Sequence, residues 1–204
     1  MDFKSTIKGC FGADHWLMFA QQFGHHFFDT HWTRQIVYDI EFIQGMKDKT
    51  VLEVGGFPGL ETANLMFRGA KVTVLDSPDY IPDYYQAFVS RYGLRQIVWD
   101  IVQGAPPIED TWDCAIVSDV LMHINGFPDK FLEWLFAHCK MVILINYLSG
   151  YEEILPAKEH TLHTSFAYLG QDALTKYFTG KGYELIEGRH IENRVALFFK
   201  GGVK

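Results

Sequence analysis

Short apolar runs, each ending at or beside an acidic residue, recur through the middle of the chain. This pattern restricts the available folds more than any other feature. Thr50–Val54 carries Glu53 near its end and runs into Gly55-Gly56-Phe57-Pro58-Gly59. Lys71–Leu75 ends at Asp76, Arg95–Trp99 at Asp100, and Asp113–Ser118 at Asp119. Helical patterns lie between them: Leu60–Phe67 closed by Gly69, Tyr84–Tyr92, and Lys130–Cys139, which leads to a fifth run, Met141–Asn146. Short apolar strands alternating with helices predict a parallel sheet with helices on both faces. The tail changes rhythm. Gln171–Lys181 predicts a last helix, and Tyr183–Ile186, Arg189–Ile191 and Val195–Lys200 predict strands that turn at Glu192-Asn193 into an antiparallel hairpin.

The ends of this α/β unit are less regular. Trp16, Phe19, Phe23 and Phe27 recur at helical spacing, and so do Trp32, Ile36, Val37, Ile40 and Ile43. Residues 1–46 are therefore expected to form a helical cap on a domain covering 47–204. The segment from Tyr147 to Leu169 has no clear period, and an aperiodic stretch of that length in a compact domain is expected to act as a lid. The length of 204 residues fits one domain with a small appendage. Aromatic residues, at 16%, are the one compositional excess, and in the leader they predict a flat apolar wall as well as packing. The formal net charge of −7 argues against a nucleic-acid partner, which usually needs a Lys- and Arg-rich face. Three scattered cysteines (Cys10, Cys114, Cys139), no basic leader with an apolar run, and no apolar run long enough to span a bilayer predict a cytoplasmic, membrane-free protein. The leader holds His15, His25, His26 and His31, but neighbouring helical positions point about 100° apart, and no metal is expected there.

Open parallel sheets bind ligands at the carboxyl ends of their strands. A glycine turn between a strand and a helix, here Gly55, Gly56 and Gly59, lets a ligand approach the backbone and the helix N–H groups. A carboxylate at the end of the second strand, Asp76, suits the two hydroxyls of a ribose. Asp100 can accept from an exocyclic amine while the Ile101 N–H donates to a ring nitrogen. Together these residues describe an adenosine site.

The stretches VLEVGGFPG (Val51–Gly59), VTVLD (Val72–Asp76), VWD (Val98–Asp100) and WDCAIVSDVLMHI (Trp112–Ile124) resemble the class I S-adenosylmethionine-dependent methyltransferases that act on small molecules. The resemblance covers about Lys49–Lys200, with Phe57 standing where the family usually has glycine. It implies a Rossmann-like seven-stranded sheet of order 3-2-1-4-5-7-6. The cofactor it implies is S-adenosylmethionine, with S-adenosylhomocysteine as product. By the same resemblance Glu53 and the Gly55 backbone hold the methionine amino group, with Gly56 and Gly59 shaping the turn. Asp76 and Ser77 hold the ribose, Asp100 and Ile101 the adenine, and Asp119 and Val120 line the sulfonium. Arg34, on the covering helix, is a candidate partner for the cofactor's carboxylate.

For the transfer itself, His123 at the mouth of the crevice is the candidate general base, and His163, in the aperiodic segment, the candidate substrate contact. His160 is a weaker second. Ser118-Asp119-Val120-Leu121 replaces the Pro-Pro-aromatic motif of the DNA amino-methyltransferases, and Asn146 lacks the paired acids of metal-dependent catechol chemistry. A small organic acceptor is left, for a monomer or homodimer. Two alternatives compete: a cofactor-binding module without turnover, and an NAD-dependent oxidoreductase using Tyr177 and Lys181 as a proton relay.

Overall fold

Val51, Leu52 and Val54 are fully or almost fully buried, because the strand they form has apolar layers on both sides. This strand, β1 (Thr50–Val54), lies within a seven-stranded sheet. The computed structural model describes residues 45–56, 59–78, 83–118, 120–121, 128–147, 171–191 and 194–203. β2 (Lys71–Asp76) and then β3 (Arg95–Val98) extend the sheet on one side of β1. β4 (Cys114–Ser118) and β5 (Met141–Tyr147) follow on the other, and all five run parallel. β6 (Glu184–Ile191) and β7 (Arg194–Lys200) complete the order β3-β2-β1-β4-β5-β7-β6. β7 is antiparallel to both β5 and β6, so it is the one reversed strand of the hairpin.

Four α-helices are described: α1 (Leu60–Phe67), α2 (Asp83–Arg91), α3 (Asp129–His138) and α4 (Gln171–Gly180). Their limits and those of the strands fall within a residue or two of the sequence expectation. Two features differ. A 3₁₀ helix, Ile101–Gln103, follows β3. The two expected pieces Tyr183–Ile186 and Arg189–Ile191 are one strand, β6. Its ladder passes from Leu185–Phe199 to Glu187–Phe198, leaving Ile186 as the extra residue of a bulge, 56% exposed. Most of the expected cap (1–44) and insertion (148–170) lies outside the described residues. Among the described residues no helix is long and apolar enough to cross a membrane.

Side chains alternate across the sheet, and the alternation sorts them into two cores. Val51, Val72, Val74, Cys114, Ile116, Ile143 and Ile145 pack with Ala63 and Leu65 of α1 and with Tyr85, Phe88 and Val89 of α2. Leu52, Val54, Leu75, Ala115, Val117 and Leu144 pack on the opposite face with Phe131, Leu135 and Phe136 of α3 and Leu174 and Phe178 of α4. In the second core the Phe136 and Tyr183 rings stack with centroids 3.7 Å apart, and Phe178 and Phe199 close around them. Each such ring contributes about 1.5–3 kcal/mol by leaving water.

Two clasps fix the amino ends of the strands. The Thr50 N–H donates to Asp113 Oδ2 at 3.0 Å, and the Asp113 N–H donates to Thr50 Oγ1 at 3.0 Å. Lys140 Nζ lies 3.1 Å from the other Asp113 oxygen. These bonds set β1 against β4. After β7, the Gly201 N–H donates to the Lys140 carbonyl and the Gly202 N–H to the Phe136 carbonyl, each at 2.8 Å. The approach at Gly201 is so close that an added Cβ would lie 1.7 Å from the Cys139 oxygen.

Candidate functional site

Strand register brings the acidic ends together. Glu53 pairs with Val74 on β2 and Ile116 on β4, so its side chain shares their face of the sheet. Two residues further along those strands, Asp76 and Ser118 occupy the next row on that face. Gly55, which follows Val54, lies in the row between them and keeps the edge of the sheet open there.

Both carboxylates are buried, Glu53 at 3% exposure and Asp76 at 2%. Burying a charge is costly unless hydrogen bonds replace water, and each acid has a hydroxyl from the helix above it. Thr62 Oγ1 of α1 donates to Glu53 Oε2 at 2.6 Å. The Tyr85 hydroxyl of α2 donates to Asp76 Oδ2 at 3.0 Å. Burial, reinforced by the negative charges of Asp76 and Glu53, pushes the Tyr85 hydroxyl far above the usual phenol range. It therefore remains a donor at any working pH.

The glycines of the turn are required by geometry. Gly55 has φ +70°, in the left-handed region, and a Cβ on it would lie 2.3 Å from Val120 Cγ2. The half-buried Val120 thus lies directly against the β1 turn. A Cβ on Gly56 would lie 2.9 Å from the Tyr85 hydroxyl. Gly59, at φ +98°, is the N-cap of α1, and among the described residues no side chain makes a capping hydrogen bond to that helix.

Asp76 also links β2 to the next unit, its carbonyl accepting from the Trp99 N–H at 2.9 Å. Asp100 caps the 3₁₀ helix: its Oδ1 accepts from the Val102 N–H at 3.0 Å, and Ile101 is buried beneath. The Trp99 indole N–H donates to the Gly104 carbonyl at 2.9 Å, closing this small loop. Ser77 is half-buried beside Asp76. Ser118 Oγ is buried and has no hydrogen-bond partner among the described residues.

No family model and no curated protein matches the sequence. The similarity is to solved structures. An O-methyltransferase family protein from Burkholderia thailandensis superposes with a TM-score of 0.63 at 12% identity, over 82% of this chain and 54% of that one. The 1,6-didemethyltoxoflavin-N1-methyltransferase of Burkholderia thailandensis, solved with 1,6-didemethyltoxoflavin and S-adenosylhomocysteine, gives 0.56 at 14% identity, over 77% and 72% of the two chains. A SAM-dependent methyltransferase from Aquifex aeolicus gives 0.61 at 18% identity, over 82% and 88%. The fold is that of the class I S-adenosylmethionine-dependent methyltransferases. The chain spans little more than half of the first of these structures.

In this methyltransferase fold the expected cofactor set divides in two. Glu53, Gly55, Gly56, Gly59, Asp76, Ser77, Asp100, Ile101 and Val120 all stand at the carboxyl ends of β1 to β4 or in the turns that follow them. Asp119, His123, His163 and Arg34 lie outside the described residues. Three polar residues of the site, Thr62, Tyr85 and Ser118, were not anticipated. Thr62 and Tyr85 each stand nine residues beyond the acid they bond, on the sheet-facing side of a helix.

The Tyr177–Lys181 pair of the oxidoreductase alternative is otherwise engaged. Both the Tyr177 hydroxyl and the Lys181 ammonium donate to Asp129 Oδ1. Burial and the bond to Asp129 raise the Tyr177 hydroxyl above its ordinary range, opposite to the shift a proton relay needs. Among the described residues no cluster of three or more His, Cys, Asp or Glu side chains could hold a metal.

Proposed function

We propose that the chain transfers a methyl group from S-adenosylmethionine to a small organic acceptor. The observation that carries this reading is the row Asp76–Gly55–Ser118 above Glu53, on one face of the sheet and at the carboxyl ends of β2, β1 and β4. The row fits the cofactor in three respects. Gly55 leaves a cradle that any Cβ would close against Val120. Ser118 Oγ is a buried polar atom still lacking a partner among the described residues. Both carboxylates match the positive charge of a sulfonium in sign.

S-adenosylmethionine supplies, when bound, a methyl carbon on a cationic sulfur, open to in-line displacement. Glu53 and the Gly55 backbone would hold the methionine amino group, Asp76 and Ser77 the ribose, and Asp100 and Ile101 the adenine. Asp119 and Val120 would flank the sulfur, with Arg34 on the terminal carboxylate. The chief work of the protein is then to align a nucleophile and exclude water, worth on the order of 7–11 kcal/mol of barrier. His123 is the candidate general base, worth roughly 10²–10⁴-fold where the nucleophile must lose a proton. The leader and the Tyr147–Leu169 segment would cover the acceptor, with His163 touching it. The small-molecule ligand of the N1-methyltransferase among the similar structures supports an acceptor of that class.

The test has two parts. Titration calorimetry with S-adenosylhomocysteine should show binding, and NADH should show none; the opposite result sinks the proposal. Label from methyl-labelled S-adenosylmethionine should pass to an acceptor drawn from a panel of small phenols, amines and heterocycles. Binding with no transfer across the panel would favour a binding module. With an acceptor in hand, His123→Ala should lower the maximal rate and remove its dependence on pH. Full rate at every pH would remove His123 from the mechanism.

A further inference from the structure

We infer that Tyr85 is a positioning residue for the cofactor's ribose, its buried hydroxyl fixing the plane in which the Asp76 carboxylate meets the sugar. The inference rests on the proposed binding of S-adenosylmethionine and adds to it a residue on α2.

Three elements converge on that hydroxyl. β2 supplies Asp76, whose Oδ2 accepts from it at 3.0 Å. The glycine turn supplies Gly56, where an added Cβ would lie 2.9 Å from the hydroxyl and 3.1 Å from Val74 Cγ1. α2 supplies the ring, which is fully buried and stacks near Phe88 with centroids 6.2 Å apart. A phenylalanine would satisfy that packing equally well. The hydroxyl adds nothing to that apolar packing; it serves the buried Asp76 carboxylate, and it sits where the turn has given up its side chain to make room. Burial and the two nearby carboxylates keep it protonated, so the bond has one direction, tyrosine to aspartate.

A ribose offers two neighbouring hydroxyls as donors, and how well a carboxylate accepts from them depends on its rotation about the bond to Cβ. With Oδ2 held by Tyr85, that rotation is fixed before the ligand arrives. Removing the hydroxyl takes away one of the bonds that hold this rotation, so more of the carboxylate's ordering falls at the ligand's expense. The effect should be confined to ligands that carry the ribose hydroxyls.

Titration calorimetry of the wild-type chain and Tyr85→Phe, with S-adenosylhomocysteine and with its 2′,3′-dideoxy analogue, tests this. Tyr85→Phe should weaken S-adenosylhomocysteine binding by about tenfold, the scale of one hydrogen bond to a charged group. For the dideoxy analogue the two proteins should agree within about twofold. Equal losses for both ligands would make Tyr85 a structural prop, and no loss for either would remove it from the site; each result overturns the inference. If Tyr85→Phe fails to give a cooperative melt, Gly56→Ala, which crowds the same hydroxyl, should show the same dependence on the ribose hydroxyls, and its absence there overturns the inference too. Failure of the wild-type chain to bind S-adenosylhomocysteine at all would overturn the proposed function itself, and the inference with it.

Discussion

Asp76 is a buried charge and, in the proposed function, also the acid that meets the ribose, and these roles make different demands. As a buried charge it needs the Tyr85 hydroxyl; as a ribose acceptor it needs its carboxylate placed toward the crevice. Asp76→Ala should weaken S-adenosylhomocysteine binding by about 1.5–3 kcal/mol, the range for a hydrogen bond to a charged group. Calorimetry on a variant with an unchanged circular dichroism spectrum measures this, and unchanged affinity would show that the ribose is held elsewhere. The role of Asp76 as the end of an apolar strand was legible in the sequence, because a strand buried on both faces reads as an unbroken apolar run and the acid marks where burial gives way to the crevice. Its partner was not. Tyr85 lies on a helix whose pattern announces only that one face is apolar, and a tyrosine there reads as core. Which acid its hydroxyl meets depends on how α2 lies across β2, a relation between elements that no local pattern encodes. Thr62 beside Glu53 was hidden for the same reason, and Ser118 read as one small residue at the end of a strand.

The parallel sheet followed from alternation of strands and helices and its strand order from the family resemblance, whereas strand register is held by side chains. Asp113 accepts from the Thr50 backbone and hydroxyl and pairs with Lys140. The Thr50 backbone bond, more than the Lys140 and Thr50 side-chain bonds, holds its carboxyl below the usual carboxylate range. A depressed folded-state value means that the stabilisation is fully present above the unfolded-state value and is lost as pH falls through the folded one. Asp113→Asn should therefore cost about 1–2 kcal/mol at neutral pH. The gap should close once the pH falls below the ordinary carboxylate range. Urea unfolding of both proteins at neutral and strongly acidic pH checks the sign; a gap that widens in acid would contradict it. The β6 bulge shows the limit of reading elements from sequence. Ile186 and Gly188 interrupt the two-residue period, so the stretch looks like two strands, yet the β7 ladder continues across both.

Across the whole molecule, the two faces of the sheet do different work. Among the described residues the face of α3 and α4 is almost wholly apolar and aromatic, while that of α1 and α2 carries Glu53 and Asp76, the buried acids of the candidate site. Stability and chemistry are thus separable by substitution. Gly201→Ala, remote from the crevice, would place a methyl group 1.7 Å from the Cys139 carbonyl oxygen. It should cost about 2–4 kcal/mol, seen as a lower midpoint in thermal unfolding, while S-adenosylhomocysteine affinity of the folded fraction stays unchanged. Near the crevice, Trp99 precedes Asp100, half-buried, with its N–H tied to the Gly104 carbonyl. If Asp100 and Ile101 hold the adenine as proposed, that arrangement makes the molecule its own optical sensor. A purine settling beside Asp100 and Ile101 enters the electronic surroundings of a fixed indole, so tryptophan emission should fall and shift as S-adenosylhomocysteine is added. In Trp99→Phe the change should vanish although calorimetry still records binding, giving a bench assay in which acceptor candidates can be screened by light long before any product is identified.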